Sequence, residues 1–295
     1  MTTRSLLLVS ALSALTIALS SGCATSRTAG WETGAEGAGD KAAAAAALSE
    51  GKQLWKNRQD KADLEKALGR FEAAAKADPS SSETLTFLSR GYYLLADGHT
   101  DEKEEKKRLW EIGTGWGEKA LALNPEFRKV VVDEKKNVED ALPVVKKNQI
   151  EPLYWTAVNL GKWARLSGLG TQLKYKDRIK KMIERVEKFD PNFFHGAVDR
   201  YFGTFYAVAP GFAGGSMEKS LQRFERAFKV ANNYFGSHVL LAENYAVKKE
   251  DKGLFEKHLG FVLAGNPNSM PDLVPEQILE QRKAKKLMDQ IEELF

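Results

Sequence analysis

Four Asx-Pro dipeptides, each closing a helical-looking run, constrain this 295-residue chain more than any other feature. They fall at Asp78-Pro79, Asn124-Pro125, Asp190-Pro191 and Asn266-Pro267. Proline pushes the residue before it out of the helical region, and Asp or Asn suits both the turn and the next helix cap. Ahead of three of these prolines, residues recur in steps of four, three and then five: Ala67, Phe71 and Ala74; Ile179, Ile183 and Val186; Phe255, Leu259 and Val262. Gly113, Gly117 and Ala120 keep the step before Pro125 with small residues, and Ser220, Phe224 and Ala227 repeat it without a proline. Such steps put each set on one helical face. A helix pair carrying that face must stack on neighbours to bury it.

The pattern resembles the tetratricopeptide repeat, whose second helix carries small, aromatic and alanine positions ahead of a proline. Leu48 and Gly51, Leu88 and Gly91, Leu160 and Gly161, and Phe202 and Gly203 mark the first helices. The prolines at 79, 125, 191 and 267 are unevenly spaced, where a regular array would repeat about every 34 residues. Insertions such as "ADGHTDEKEEKKR" lengthen the connections and read as solvated surface. Val130–Val132 is the lone β-branched run, closely flanked by lysines. The C-terminal "PEQILEQRKAKKLMDQIEELF" reads as an amphipathic closing helix, with Ile278, Leu287, Ile291 and Leu294 on or near one face. The expected fold over residues 41–295 is therefore all-α: an irregular tetratricopeptide-like α-solenoid of about five helix pairs with a C-terminal capping helix.

The N-terminus reads as a targeting segment. Arg4 precedes "SLLLVSALSALTIALS", a stretch too short and too rich in small residues for a comfortable span. Ser21 and Gly22 are small residues placed for cleavage, directly before Cys23, the chain's single cysteine. This resembles the bacterial lipoprotein box, although the usual leucine, here Leu19, stands one place further back. The resemblance implies a signal peptide over 1–22 and lipid attachment at Cys23. Several acyl chains suffice for stable anchoring, and Ala24 rather than Asp after the cysteine implies the outer membrane. Residues 23–40 are small, polar and Gly-rich, the composition of a flexible tether. Trp31 within them has no evident role.

Charge and motifs narrow the function. A net charge of +4 without a basic stripe argues against nucleic acid. His99, His195, His238 and His258 lack metal-ligand spacing, and no G-x-S-x-G occurs. No enzyme, cofactor or metal is expected. "APGFAGGSMEKS" follows no strand and lacks P-loop spacing, so Ser216 as a helix N-cap explains it.

Two helices are apolar on too many sides for a single greasy stripe. In "EPLYWTAVNLGKWARLSG", Tyr154 extends the main face while Trp155, Asn159 and Trp163 form a second, aromatic-and-amide stripe. In "FFHGAVDRYFGTFYAVAPGF", Phe194, Tyr201, Phe202, Phe205 and Tyr206 spread around the circumference, and Gly196 and Gly203 offer a close-approach face. Rings with polar tips are the usual lining of small-molecule pockets. These nine residues are the candidate hydrophobic-cavity site; a wide solid core is the alternative. Asn159 and Asp199 need buried partners, and Arg200 or Lys162 would serve Asp199.

Signal, tether, irregular repeats, "LYWTAVNLGKWA" and "RYFGTFYAVAPGFAGGSMEKSLQRFERAF" together resemble the T-component lipoproteins of TRAP (tripartite ATP-independent periplasmic) transporters. The resemblance runs from about Ala45 to Pro267. It implies a non-enzymatic periplasmic protein with a hydrophobic cavity, assembly into a homotrimer, and docking to the transporter's solute-binding subunit. The expected role is to shield an apolar, lipid-like small molecule and pass it to that subunit. The alternative is a tetratricopeptide scaffold for outer-membrane protein or pilus assembly.

Overall fold

All four Asx-Pro breaks take one local form in the computed structural model, which describes residues 25–33 and 39–295. Asp78, Asn124, Asp190 and Asn266 have extended backbones. Each side-chain oxygen accepts the backbone N–H two residues on, from Ser80, Glu126, Asn192 and Asn268, at 2.9, 3.0, 3.0 and 2.9 Å. That Asx turn ends one element and aims the next.

Between the breaks run α1 (Lys41–Trp55), α2 (Lys61–Ala77), α3 (Ser82–His99), α4 (Lys103–Leu121), the one-turn α5 (Pro125–Arg128) and α6 (Val138–Ala141), α7 (Ile150–Leu166) and α8 (Leu169–Phe189). There follow α9 (Phe193–Val208), α10 (Met217–Ala231), α11 (Phe235–Leu240), α12 (Lys252–Ala264), α13 (Val274–Asp289) and the last turn α14 (Ile291–Leu294). No strand forms among the described residues, and Val130–Val132 lies in a π-helical turn. The fold is all-α, as expected. Side-chain oxygens of Asp60, Ser81, Ser216 and Asp251 cap α2, α3, α10 and α12.

Every member of the five stepped sets is buried. Two glycines on first helices admit an aromatic of the second. A Cβ on Gly51 would lie 2.4 Å from the Phe71 ring, and one on Gly203 would lie 2.9 Å from Phe224. Neighbouring helices pack in the order α1 on α2, α3 on α4, α4 on α7, α7 on α8, and α9 on α10.

The closing helix departs from a cap on the last pair. Leu287, Ile291 and Leu294 do pack on the core under α11 and α12. Ile278 is absent from that cluster, and its neighbour Leu279 enters the main core instead. α13 also touches α3. Its Glu276 accepts from Arg58 Nη2 at 2.5 Å and Arg90 Nη2 at 2.7 Å. On its other side, Gln277 accepts from the Phe235 N–H at 3.0 Å. α13 thus joins the first helices to the last ones.

A second departure concerns the stretch read as a tether. Cys23 and the proposed signal peptide lie outside the described residues, but Thr25–Thr33 are packed onto the body. The Thr25 N–H donates to Thr171 Oγ1 at 2.8 Å, and Arg27 pairs with Glu118 at 2.6 Å with both side chains nearly covered. Glu118 also accepts the Gly30 N–H at 2.7 Å. Gly30 is required there, because a Cβ would sit 2.0 Å from the Gly115 carbonyl oxygen. Trp31 packs edge-on against Phe127, which gives it a role. Composition predicts freedom here; one buried ion pair and one ring contact remove it over these residues.

Candidate functional site

α3, α7, α8, α9, α11 with the π-helical Leu241–Ala246 that continues it, and α13 surround a cavity of about 220 Å³. Of the nine residues chosen from the aromatic stripes, Tyr154, Trp155, Phe194, Tyr201 and Phe205 line it. Around Trp155 the rings meet at angles, 5.5 Å from Tyr93, 5.1 Å from Tyr154 and 5.4 Å from Phe194, while Tyr201 and Phe205 stack at 6.2 Å.

The other four lie elsewhere. Asn159 is wedged between α3 and α4, where its Nδ2 donates to the Ser89 and Trp155 carbonyls at 3.0 and 2.9 Å. Gly113 makes the room, since a Cβ there would stand 2.7 Å from Asn159 Oδ1. Trp163 packs edge-on to Tyr175 of α8 at 5.6 Å. Trp155 and Trp163 diverge because eight residues overshoot two helical turns by about 80°. Phe202 is fully buried under Arg223, whose guanidinium lies 4.6 Å from its ring, and Tyr206 stacks on Phe202 at 6.0 Å. Asp199 pairs with Arg223 at 2.9 Å and Arg226 at 3.4 Å rather than with Arg200 or Lys162.

The start of α9 shapes one wall. Phe194, His195 and Gly196 are all left-handed, with φ of 42°, 57° and 79°. That conformation costs a phenylalanine or histidine of the order of 1–2 kcal/mol each. It also places Gly196 outside the regular helix, so Gly196 and Gly203 do not share one helical face. Arg200 holds the turn by donating to the Phe194 carbonyl at 2.8 Å and to the His195 carbonyl. The turn presents the Phe194 ring to Trp155 and, at 6.2 Å, to Tyr234.

Polar groups that the stripes did not reveal complete the lining. Tyr93 and Asp97 come from α3, Lys162 from α7, Arg200 from α9, and Glu280 and Lys283 from α13; Tyr234 stands just before α11. Asp97 accepts from Lys162 at 2.7 Å and Lys283 at 2.6 Å, and Lys283 reaches Glu280 at 2.6 Å. Burial opposes ionisation of Asp97, but the two ammonium groups outweigh it and hold its carboxyl well below the usual range. The Glu280 carboxyl is pushed up by burial, against the pull of Lys283. Burial likewise pushes up the phenols of Tyr93, Tyr154, Tyr201 and Tyr234. They stay neutral and can donate hydrogen bonds. The one local sign of this polar set is Asp97 four residues after Tyr93, on the same face of α3.

The histidines stand apart from the lining. His238 and His258 face each other, Nδ1 to Nδ1, at 2.9 Å, with Phe228 against both. Such a contact needs one donor and one acceptor; His238 Nε2 donates to the Asn232 carbonyl at 2.8 Å, so its neutral ring accepts at Nδ1 from His258, and burial lowers both imidazoles. Among the described residues no cluster of ligands suits a metal ion, and no helix is long and apolar enough to cross a membrane. What the lining offers is binding: angled rings, phenol donors and buried cations around a shared space.

An all-helical protein with an aromatic, charge-lined cavity between its helices is the class these features define. Residues 64–295 match the TRAP transporter T-component family, and the chain belongs to it. A protein of Treponema pallidum (strain Nichols), itself uncharacterised, is 26% identical over 172 residues. The match covers 57% of this chain and 53% of that relative, about half its length.

Proposed function

We propose that this T-component is a periplasmic lipoprotein that takes a hydrophobic small molecule into the cavity between α3, α7, α9 and α13 and passes it to the solute-binding subunit of a TRAP transporter. Family membership supports the transporter association. The observation that carries ligand binding is the wall itself, where Trp155, Phe194, Tyr201 and Phe205 face a common space instead of filling it. Desolvation by these rings drives binding, and the phenols orient the guest. The exposed Leu169 and Leu173 belong to the lining and mark its mouth, and Phe212, 80% exposed, stands on the adjoining loop. In this reading Cys23 carries the acyl anchor to the outer membrane, and protomers assemble as a homotrimer.

The test is organic extraction of the purified protein followed by mass spectrometry. A co-purifying apolar molecule, reduced in Trp155→Ala and retained in Trp163→Ala, is the expected result. Extracts indistinguishable from those of an unrelated protein purified alongside would remove the ligand role. For the anchor, Cys23→Ser is expected to move the protein from the membrane to the soluble fraction.

A further inference from the structure

The charges around the cavity do not balance. Arg58, Arg90, Lys162, Arg200 and Lys283 stand in or just behind its wall, against only Asp97, Glu276 and Glu280. Glu276 is shared by two arginines, and the Asp97–Glu280 pair is matched by the two lysines. Arg200 is left over. It is 4% exposed, and among the described residues it has no carboxylate partner. It touches two backbone carbonyls, the Tyr154 phenol and the face of Tyr234, 4.1 Å from its guanidinium carbon, all of them neutral groups. Arg90 stands nearby, 4.9 Å from the Phe194 ring, and its buried Nε has no acceptor. A buried cation without a counter-ion is costly, and guanidinium N–H groups are built to receive a planar anion.

We propose that the cavity is selective for an anionic amphiphile, whose head group sits between Arg200 and the Tyr154 and Tyr234 phenols and whose hydrocarbon tail runs along Trp155, Tyr201 and Phe205. The proposal rests on the cavity being a ligand site and adds the chemistry of the guest. The neutral phenols supply further donors to the anion. Glu280, whose carboxyl burial pushes toward the neutral form, opposes it least of the three acids. Arg165 and Lys176 outnumber Glu243 among the charged residues of the mouth, so entry also favours a negative guest.

Titration calorimetry with decanoate, decan-1-ol and decyltrimethylammonium, which share a tail and differ in head charge, tests it. The wild-type protein is expected to bind decanoate about tenfold more tightly than decan-1-ol, with the ammonium compound weakest. Arg200→Gln is expected to erase the difference between decanoate and decan-1-ol. Equal binding of all three by the wild type, or a preference that survives Arg200→Gln, would overturn the head-group assignment and leave the cavity reading standing. Binding of none of the three would overturn both. Because Arg200 also ties the Phe194 turn, Arg200→Gln is checked by circular dichroism; if it does not fold, the wild-type comparison of the three head groups decides.

Discussion

The two sides of α7 show how one helix builds both a solid joint and a hollow. Toward α4, Asn159 and Thr156 meet Gly113 and Gly117, and a Cβ on Gly117 would fall 2.1 Å from Thr156 Oγ1. Toward the cavity, Trp155 meets rings from α3 and α9 at interplanar angles of 52° and 77°. Small residues opposite polar ones close completely. The large rings around Trp155 meet at angles and border a space. The difference lies in what α7 faces, glycines of α4 on one side and rings of α3 and α9 on the other.

Substitutions can break this contrast or sharpen it. Trp163→Ala, in the closed contact of α7 with Tyr175 of α8, should lose about 4 kcal/mol in urea unfolding without affecting cavity ligands. Gly117→Val should cost about 3 kcal/mol by overpacking the α4–α7 joint. Trp155→Ala should cost about 2 kcal/mol, less than Trp163→Ala because its ring already borders a space, and should weaken decan-1-ol binding. A larger loss for Trp155→Ala than for Trp163→Ala would mean that the Trp155 ring is packed as solidly as that of Trp163.

The smallest expected effect lies outside α7, at the histidine pair. Burial first, and then the neighbouring His238, lowers His258 from 6.5 to about 4. The folded protein therefore binds fewer protons than the unfolded chain between these values. Stability should fall as pH drops from about 6.5 toward 4, level off below, and be unaffected above, by on the order of 1 kcal/mol after solvent screening. Thermal melts of the wild type and His258→Gln across that window measure it, the variant losing this slope.

What sequence could disclose follows the range of each interaction. The Asx-Pro turns and the stepped faces are local, and all the stepped residues are buried as a single helix period requires. The cavity was half visible: ring excess on α7 and α9 pointed to Trp155 and Phe194, but the same excess supplied Trp163 and Phe202, which are core. Periodicity reports that a face is apolar, not what stands opposite. Asp97, Lys162 and Lys283 come from three helices far apart in the chain, and only tertiary packing brings them together. The left-handed turn at Phe194–Gly196 was hidden because phenylalanine and histidine give no local warning of it. Docking of Trp31 was masked by the glycines around it.

The reach of α13 also bears on how the molecule comes apart. Arrays of stacked helix pairs can fray from their outermost unit, each loss leaving the remainder nearly intact. Here the last long helix is riveted to Arg58 and Arg90 near the beginning and to Phe235 near the end. Peeling it away would unseat both ends at once, so melting should be a single event, and any guest held against it would leave in that same step.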